Sequence, residues 1–133
     1  MSSRESISTI RVRFAETDKF GSAYHGAYFA WFEVGRTDWL RERGMTYVDL
    51  MARDLHLPVV STEAKFLRPV AYDDCIEIRT TLAEVTGVRL LFEYELRVEH
   101  HAEILTRGRT EHASVDGSGR PRRFPENILR LLK

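Results

Sequence analysis

The 133-residue sequence has one cysteine, four prolines and no excess charge of either sign, with 20 Lys and Arg against 20 Asp and Glu. Cys75 alone cannot close an internal disulfide, which removes the small, disulfide-stapled secreted domain from consideration. A formal charge of zero gives no global pull toward nucleic acid or an anionic membrane, so no nucleic-acid partner is expected. No window approaches the roughly 18–20 apolar residues of a membrane span, and the opening MSSRESIS has no apolar signal-peptide core. A cytoplasmic protein without a membrane span is the expectation. The five histidines, at 25, 56, 100, 101 and 112, show no spacing that suits a zinc site, so no metal is expected. Repeats, low-complexity runs and interdomain linkers are absent from the sequence as well.

What is present is a globular composition, 43% hydrophobic and 11% aromatic, at a length that suits one core-forming domain over 1–133. Residues 8–15 alternate, with Ile10, Val12 and Phe14 on one face and Arg11 and Arg13 on the other, the period of a half-buried strand. The stretch 16–24 loses that period and reads as a loop. From 25 to 43, Tyr28, Trp31, Phe32, Gly35, Trp39 and Leu40 recur at helical steps, while Glu33, Arg36, Arg41 and Glu42 supply a polar surface. Gly35 on the aromatic stripe costs about 1 kcal/mol of helix propensity relative to Ala, which suggests close approach to another backbone. Gly44 suits the helix C-cap, and Thr46 with Asp49 suits the start of a second, short helix.

After Pro58 the pattern is strand-like over 59–67, 75–85, 88–99 and 103–116, joined by short links at Thr86-Gly87 and His100-His101, so antiparallel pairing is predicted. A turn at Asp116-Gly117-Ser118-Gly119 and a terminal helix after Pro125, carrying Ile128, Leu129 and Leu132, complete the order. One long aromatic helix needs a cover that only the sheet can supply. The predicted class is α+β, a five-stranded antiparallel sheet wrapped around one long helix. Such a sheet leaves edges open, and association into a homo-dimer or homo-tetramer is expected to close them.

The chemistry concentrates in RFAETDKFGSAYHGAY, residues 13–28. Here a carboxylate, Asp18, precedes a helix whose first turn offers unpaired N–H groups and the positive end of the dipole, where a carbonyl oxygen gaining negative charge could be held. A tight turn at Gly21 could bring the carboxylate and these amides to one small volume. Taken locally, an Asp ahead of a helix is most often a solvated loop residue or a cap.

This segment resembles the signature of the hotdog-fold thioesterases of the 4-hydroxybenzoyl-CoA thioesterase and YbgC-like group, which Asp18, Gly21, Tyr24, His25 and Tyr28 match in order and spacing. Trp31-Phe32-Glu33 and Gly35-Arg36 resemble the family's helix, and Phe66-Leu67-Arg68-Pro69 with Tyr72-Asp73-Asp74 its second-strand exit, over roughly residues 8 to 124. The resemblance implies an acyl-CoA thioesterase acting on a small acyl group, short-chain or aromatic. Asp18 would serve either as nucleophile through a mixed anhydride or as general base for water. It implies that the amide near His25 polarises the carbonyl and that the His25 side chain orients substrate or assists proton transfer, against a plain packing role. Gly21, Tyr24, Gly26, Tyr28 and Arg68 fall to substrate binding, with Tyr24 and Tyr28 shaping the acyl pocket or packing in the core. No cofactor is implied beyond the coenzyme A of the substrate, and acyl carrier protein is a second possible donor. Position 27 is Ala where the family commonly has Asn, and position 26 is Gly where Ala or Pro is common. Glu16 lies two residues before Asp18, but the resemblance gives chemistry to Asp18 alone.

Further basic residues, Arg89, Arg107, Arg109 and the run Arg120-Pro121-Arg122-Arg123, could meet coenzyme A phosphates or simply be solvated. Two competing readings remain. A hotdog dehydratase or hydratase would pair His25 with Asp18 to move protons on the acyl chain, and a non-catalytic module would bind an acyl thioester or a protein without turnover.

Overall fold

A computed structural model describes residues 4–133. The chain forms β1 (Glu5–Arg11), a 3₁₀ turn (Phe14–Glu16), α1 (His25–Glu42), α2 (Tyr47–Ala52), β2 (Val59–Phe66), β3 (Cys75–Val85), β4 (Arg89–Val98), β5 (Thr106–Ala113) and α3 (Glu126–Leu132). Every pairing is antiparallel, in the order β1-β3-β4-β5-β2, with α1 packed against the sheet. This is the predicted α+β hotdog arrangement. The short links behave as expected. The Thr86 hydroxyl accepts the Val88 and Arg89 amides to close the β3–β4 hairpin, and His100 takes φ 68° in the β4–β5 link.

The aromatic stripe of α1 is the core. Tyr28, Trp31, Phe32, Trp39 and Leu40 are buried against Ile76, Ile78, Leu82, Leu90, Phe92, Tyr94 and Leu96 of β3 and β4. Each such large side chain contributes about 1.5–3 kcal/mol by leaving water. Phe32 stacks on Tyr94 with centroids 4.5 Å apart, in space left by Gly108, where a Cβ would stand 2.2 Å from the ring. Gly35 likewise permits close approach, but to side chains rather than to backbone, since an added Cβ would lie 2.3 Å from Thr80 Oγ1 and 3.0 Å from Ile78 Cγ2. The helix ends as its sequence indicates. Gly44 takes φ 83°, its amide bonds to Arg41 O and the Met45 amide to Leu40 O, which satisfies two orphaned carbonyls. Thr46 caps α2 by accepting the Asp49 amide.

Three positions depart from the sequence reading. The first strand ends at Arg11 rather than near residue 15, and Phe14 is 76% exposed instead of sharing the inner face. The cause is local: the Glu16 carboxylate accepts the Arg13 amide at 2.8 Å, and the Glu16 amide donates to Arg13 O, which winds the chain into a turn. Phe14 then packs edge-on to Tyr72 at 5.6 Å. Arg36, read as polar surface, is buried; the hydroxyls of Tyr94 and Tyr47 face its guanidinium and the Glu33 carboxylate lies 4.0 Å away. The last strand covers Thr106–Ala113 rather than 103–116: Ser114 adds one further bond, to Val88 O, in line with the β4 register, and Val115 bridges to His56 and Pro121 instead. At the sheet's rim, β2 is exposed along nearly its whole length.

Candidate active site

Asp18 stands at the tip of a small loop that folds back on itself. Its amide donates to Ser22 O at 2.9 Å, the Gly21 amide donates to Asp18 O at 3.0 Å, and Thr17 pairs with Ala23. Gly21 supplies φ 83°, a conformation that disfavours a side chain. The Asp18 carboxylate is exposed; Oδ1 accepts the Phe20 amide at 2.8 Å, and Oδ2 has no protein partner among the described residues. The loop rests on the segment after β2: the Ala23 amide donates to Val70 O at 2.7 Å, and Ser22 bridges to Ala71.

The loop delivers the chain into α1 with Tyr24 at the N-cap. The Tyr24 amide bonds to Glu16 O and the Ala27 amide to Tyr24 O, whereas the amides of His25 and Gly26 find no backbone acceptor among the described residues. These are the first two N–H groups of the helix, the donors that a helix start leaves free. Gly26 has a local reason to lack a side chain, since a Cβ would come 2.7 Å from the Tyr24 ring. The exposed His25 ring lies 5.0 Å from Phe66 of β2, which also contacts Tyr28 at 4.8 Å. Tyr28 is buried, and that burial raises its hydroxyl pKa. Ala27, where the family commonly has Asn, is buried at 3% exposure and presents no polar group. Arg68 follows β2 closely and its amide bonds to Leu105 O, but its guanidinium is ion-paired with Glu103 at 3.0 Å. The structure therefore gathers Asp18, Gly21, Tyr24, His25 and Gly26 around one loop and helix start, seats Tyr28 beneath them in the core, and gives Arg68 a protein partner.

One member of the loop was passed over in the sequence. Glu16 is buried, and its carboxylate accepts the Arg13 amide, the Arg13 guanidinium at 3.3 Å and the Trp31 indole N–H at 2.9 Å. Burial alone would raise its pKa, but these donors and the Arg13 charge outweigh it and hold the carboxyl below its ordinary value. Trp31 carried the available signal. A buried indole N–H needs an acceptor, and the nearest unassigned carboxylate ahead of the helix is Glu16.

Residues 12–132 match the sequence profile of the thioesterase-like superfamily. The chain belongs to that superfamily. Among relatives of this thioesterase-like chain, the acyl-CoA thioesterase YbgC of Haemophilus influenzae is 31% identical over 121 residues, 90% of this chain and 88% of that protein. Of solved structures, protein TT1821 of Thermus thermophilus superposes with a TM-score of 0.90 at 37% identity, covering 96% of each chain. The DHNA-CoA thioesterase of Staphylococcus aureus gives a TM-score of 0.90 at 29% identity, over 96% of this chain and 87% of that one. Among the described residues of this superfamily member, no helix is long and apolar enough to cross a membrane.

Proposed function

We propose that this thioesterase-like protein hydrolyses small acyl-CoA thioesters, with Asp18 as its catalytic carboxylate. The observation that carries the reading is the return of the Asp18 loop onto the start of α1, where two adjacent amides stand without backbone acceptors. Such amides suit the carbonyl oxygen of a thioester, whose negative charge grows as the carbon becomes tetrahedral. Asp18, whose Oδ2 has no partner among the described residues, then takes a proton from the attacking water, or attacks the carbonyl itself to give a mixed anhydride that water opens. In both routes the C–S bond breaks, the sulfur leaves with its electron pair and acquires a proton, and the acyl group departs as an acid. Water is the co-substrate, and the chemistry as written calls for no resident cofactor. The Phe66 ring beside His25 and the exposed ring of Tyr24 at the helix cap favour a small aromatic or short-chain acyl group. His25 orients the substrate at the helix start.

A dimer is part of this reading. Asp18, Tyr24 and His25 are all exposed in the single chain, and the adjoining rim strand β2 shows Val59, Val60 and Phe66 to solvent. Pairing β2 with a second copy covers that edge and encloses the acyl site.

The test is thiol release from a panel of aliphatic and aromatic acyl-CoAs, comparing wild type with Asp18→Asn. The asparagine keeps an acceptor for the Phe20 amide, so the turn is retained while base and nucleophile are lost. Turnover is expected to fall about 10²–10⁴-fold. Release that survives the substitution refutes the role of Asp18, and a wild type that binds acyl-CoA without releasing thiol is a binding module.

A further inference from the structure

The Asp18 loop has one side-chain tie that runs into the body of the helix, through Glu16. Its carboxylate reaches Trp31 Nε1 at 2.9 Å, well inside α1, while its own carbonyl accepts the amide of Tyr24, the N-cap of the same helix. Glu16 thus grips α1 at two points, one at its cap and one within its body. Asp18 follows two residues later in the same loop, and the amides of His25 and Gly26, without backbone acceptors among the described residues, follow Tyr24 immediately.

We infer that Glu16 is a positioning residue, a buried anionic clamp that sets the Asp18 carboxylate against the first amides of α1 and so sets the rate of the chemical step. This rests on the thioesterase reading given above. The Glu16 carboxylate is buried and taken up by protein donors. It acts through geometry, since a carboxylate and a pair of oxyanion donors must be held together in productive register, and a displacement of about 1 Å at such a site can cost about 10²-fold. Arg13 is part of the device. It supplies the amide and guanidinium donors that keep Glu16 ionised in a buried place, and a neutral glutamine at 16 would have to point its own N–H₂ at one of the donors the carboxylate now satisfies.

The variants are Glu16→Gln, Trp31→Phe, which removes the indole donor, and the double mutant. For acyl-CoA hydrolysis, kcat is expected to fall about 10–10²-fold in each single variant with KM within about twofold, and the double mutant is expected to be no worse than the poorer single one. Amide hydrogen exchange supplies a readout that does not depend on turnover. The amides of Asp18, Gly21 and Ala23 should exchange faster in either variant, while those of the β3–β4 hairpin keep wild-type protection. If Glu16→Gln does not fold, Trp31→Phe carries the same comparison. Unchanged kcat, unchanged loop exchange, or faster exchange throughout the protein would each overturn the clamp. A wild type that releases no thiol overturns the thioesterase reading instead, and the clamp then stands or falls on loop exchange alone.

Discussion

Lowering the pH from 7.5 to 5 is expected to destabilise the protein through one buried imidazole, His112. Its ring is 1% exposed and its two nitrogens are both committed, Nδ1 to Leu57 O at 3.0 Å and Nε2 to Thr110 Oγ1 at 2.9 Å. Leu57 O can only accept, so Nδ1 carries the proton and Nε2 accepts from the Thr110 hydroxyl. That hydroxyl in turn meets Tyr94 OH at 2.6 Å, and Tyr94 faces Arg36. A second proton on Nε2 would oblige the Thr110 hydroxyl to turn its own proton away from the ring, rearranging this buried chain. Burial is the main cause that holds His112 to about 4 against an ordinary 6.5, with the Arg36 charge adding to it and the Leu57 bond opposing it. The sign follows. Between these two values the unfolded chain binds a proton that the folded one refuses, so stability is fully present above 6.5 and is lost as pH falls toward 4. The whole difference amounts to about 3 kcal/mol, of which about 2 kcal/mol is lost by pH 5. The assay is urea unfolding of wild type and His112→Gln at both pH values. Wild type should lose about 2 kcal/mol more than the variant over this interval. Identical pH dependence of the two proteins would refute the reasoning.

Two further outcomes follow from packing and from the open rim. Gly108→Ala sets a methyl 2.2 Å from the Phe32 ring, which is fully buried and pinned on Tyr94; a loss of about 1–3 kcal/mol and a clearly lower Tm are expected, largely relieved by Phe32→Leu. An unchanged Tm for Gly108→Ala would show that the ring moves freely. Sedimentation should give a species near twice 15.5 kDa for wild type, shifted toward a single chain by Val60→Lys together with Thr62→Lys on the β2 edge. A wild type that sediments as one chain at micromolar concentration argues against edge pairing.

Most of the fold was legible because its causes are local. The helical recurrence of Tyr28, Trp31, Phe32, Trp39 and Leu40 marks one buried face, Gly44 and Thr46 punctuate the helices, and Thr86 and His100 mark two of the turns between strands. Where the sequence reading failed, the deciding partner was distant or was a side chain acting on the backbone. Phe14 looked like a core residue by alternation, yet the bonds between Arg13 and Glu16 end the strand before it. Arg36 looked solvated, yet two tyrosines from β4 and α2 hold it inside.

The same division runs through the site. By itself the sequence determined which residue types stand before the helix, the family pattern of Asp18, Gly21, Tyr24 and His25, and the glycine that lets the loop turn, because backbone preference and helix polarity act over a few residues. Only the tertiary structure decided that the loop lies on Val70 and Ala71, that Gly108 makes room for Phe32, that Glu103 takes up Arg68, and that Glu16 meets Trp31. Each of these joins groups from separate elements, so each exists only once the sheet has closed around the helix and excluded the water that would otherwise satisfy those groups.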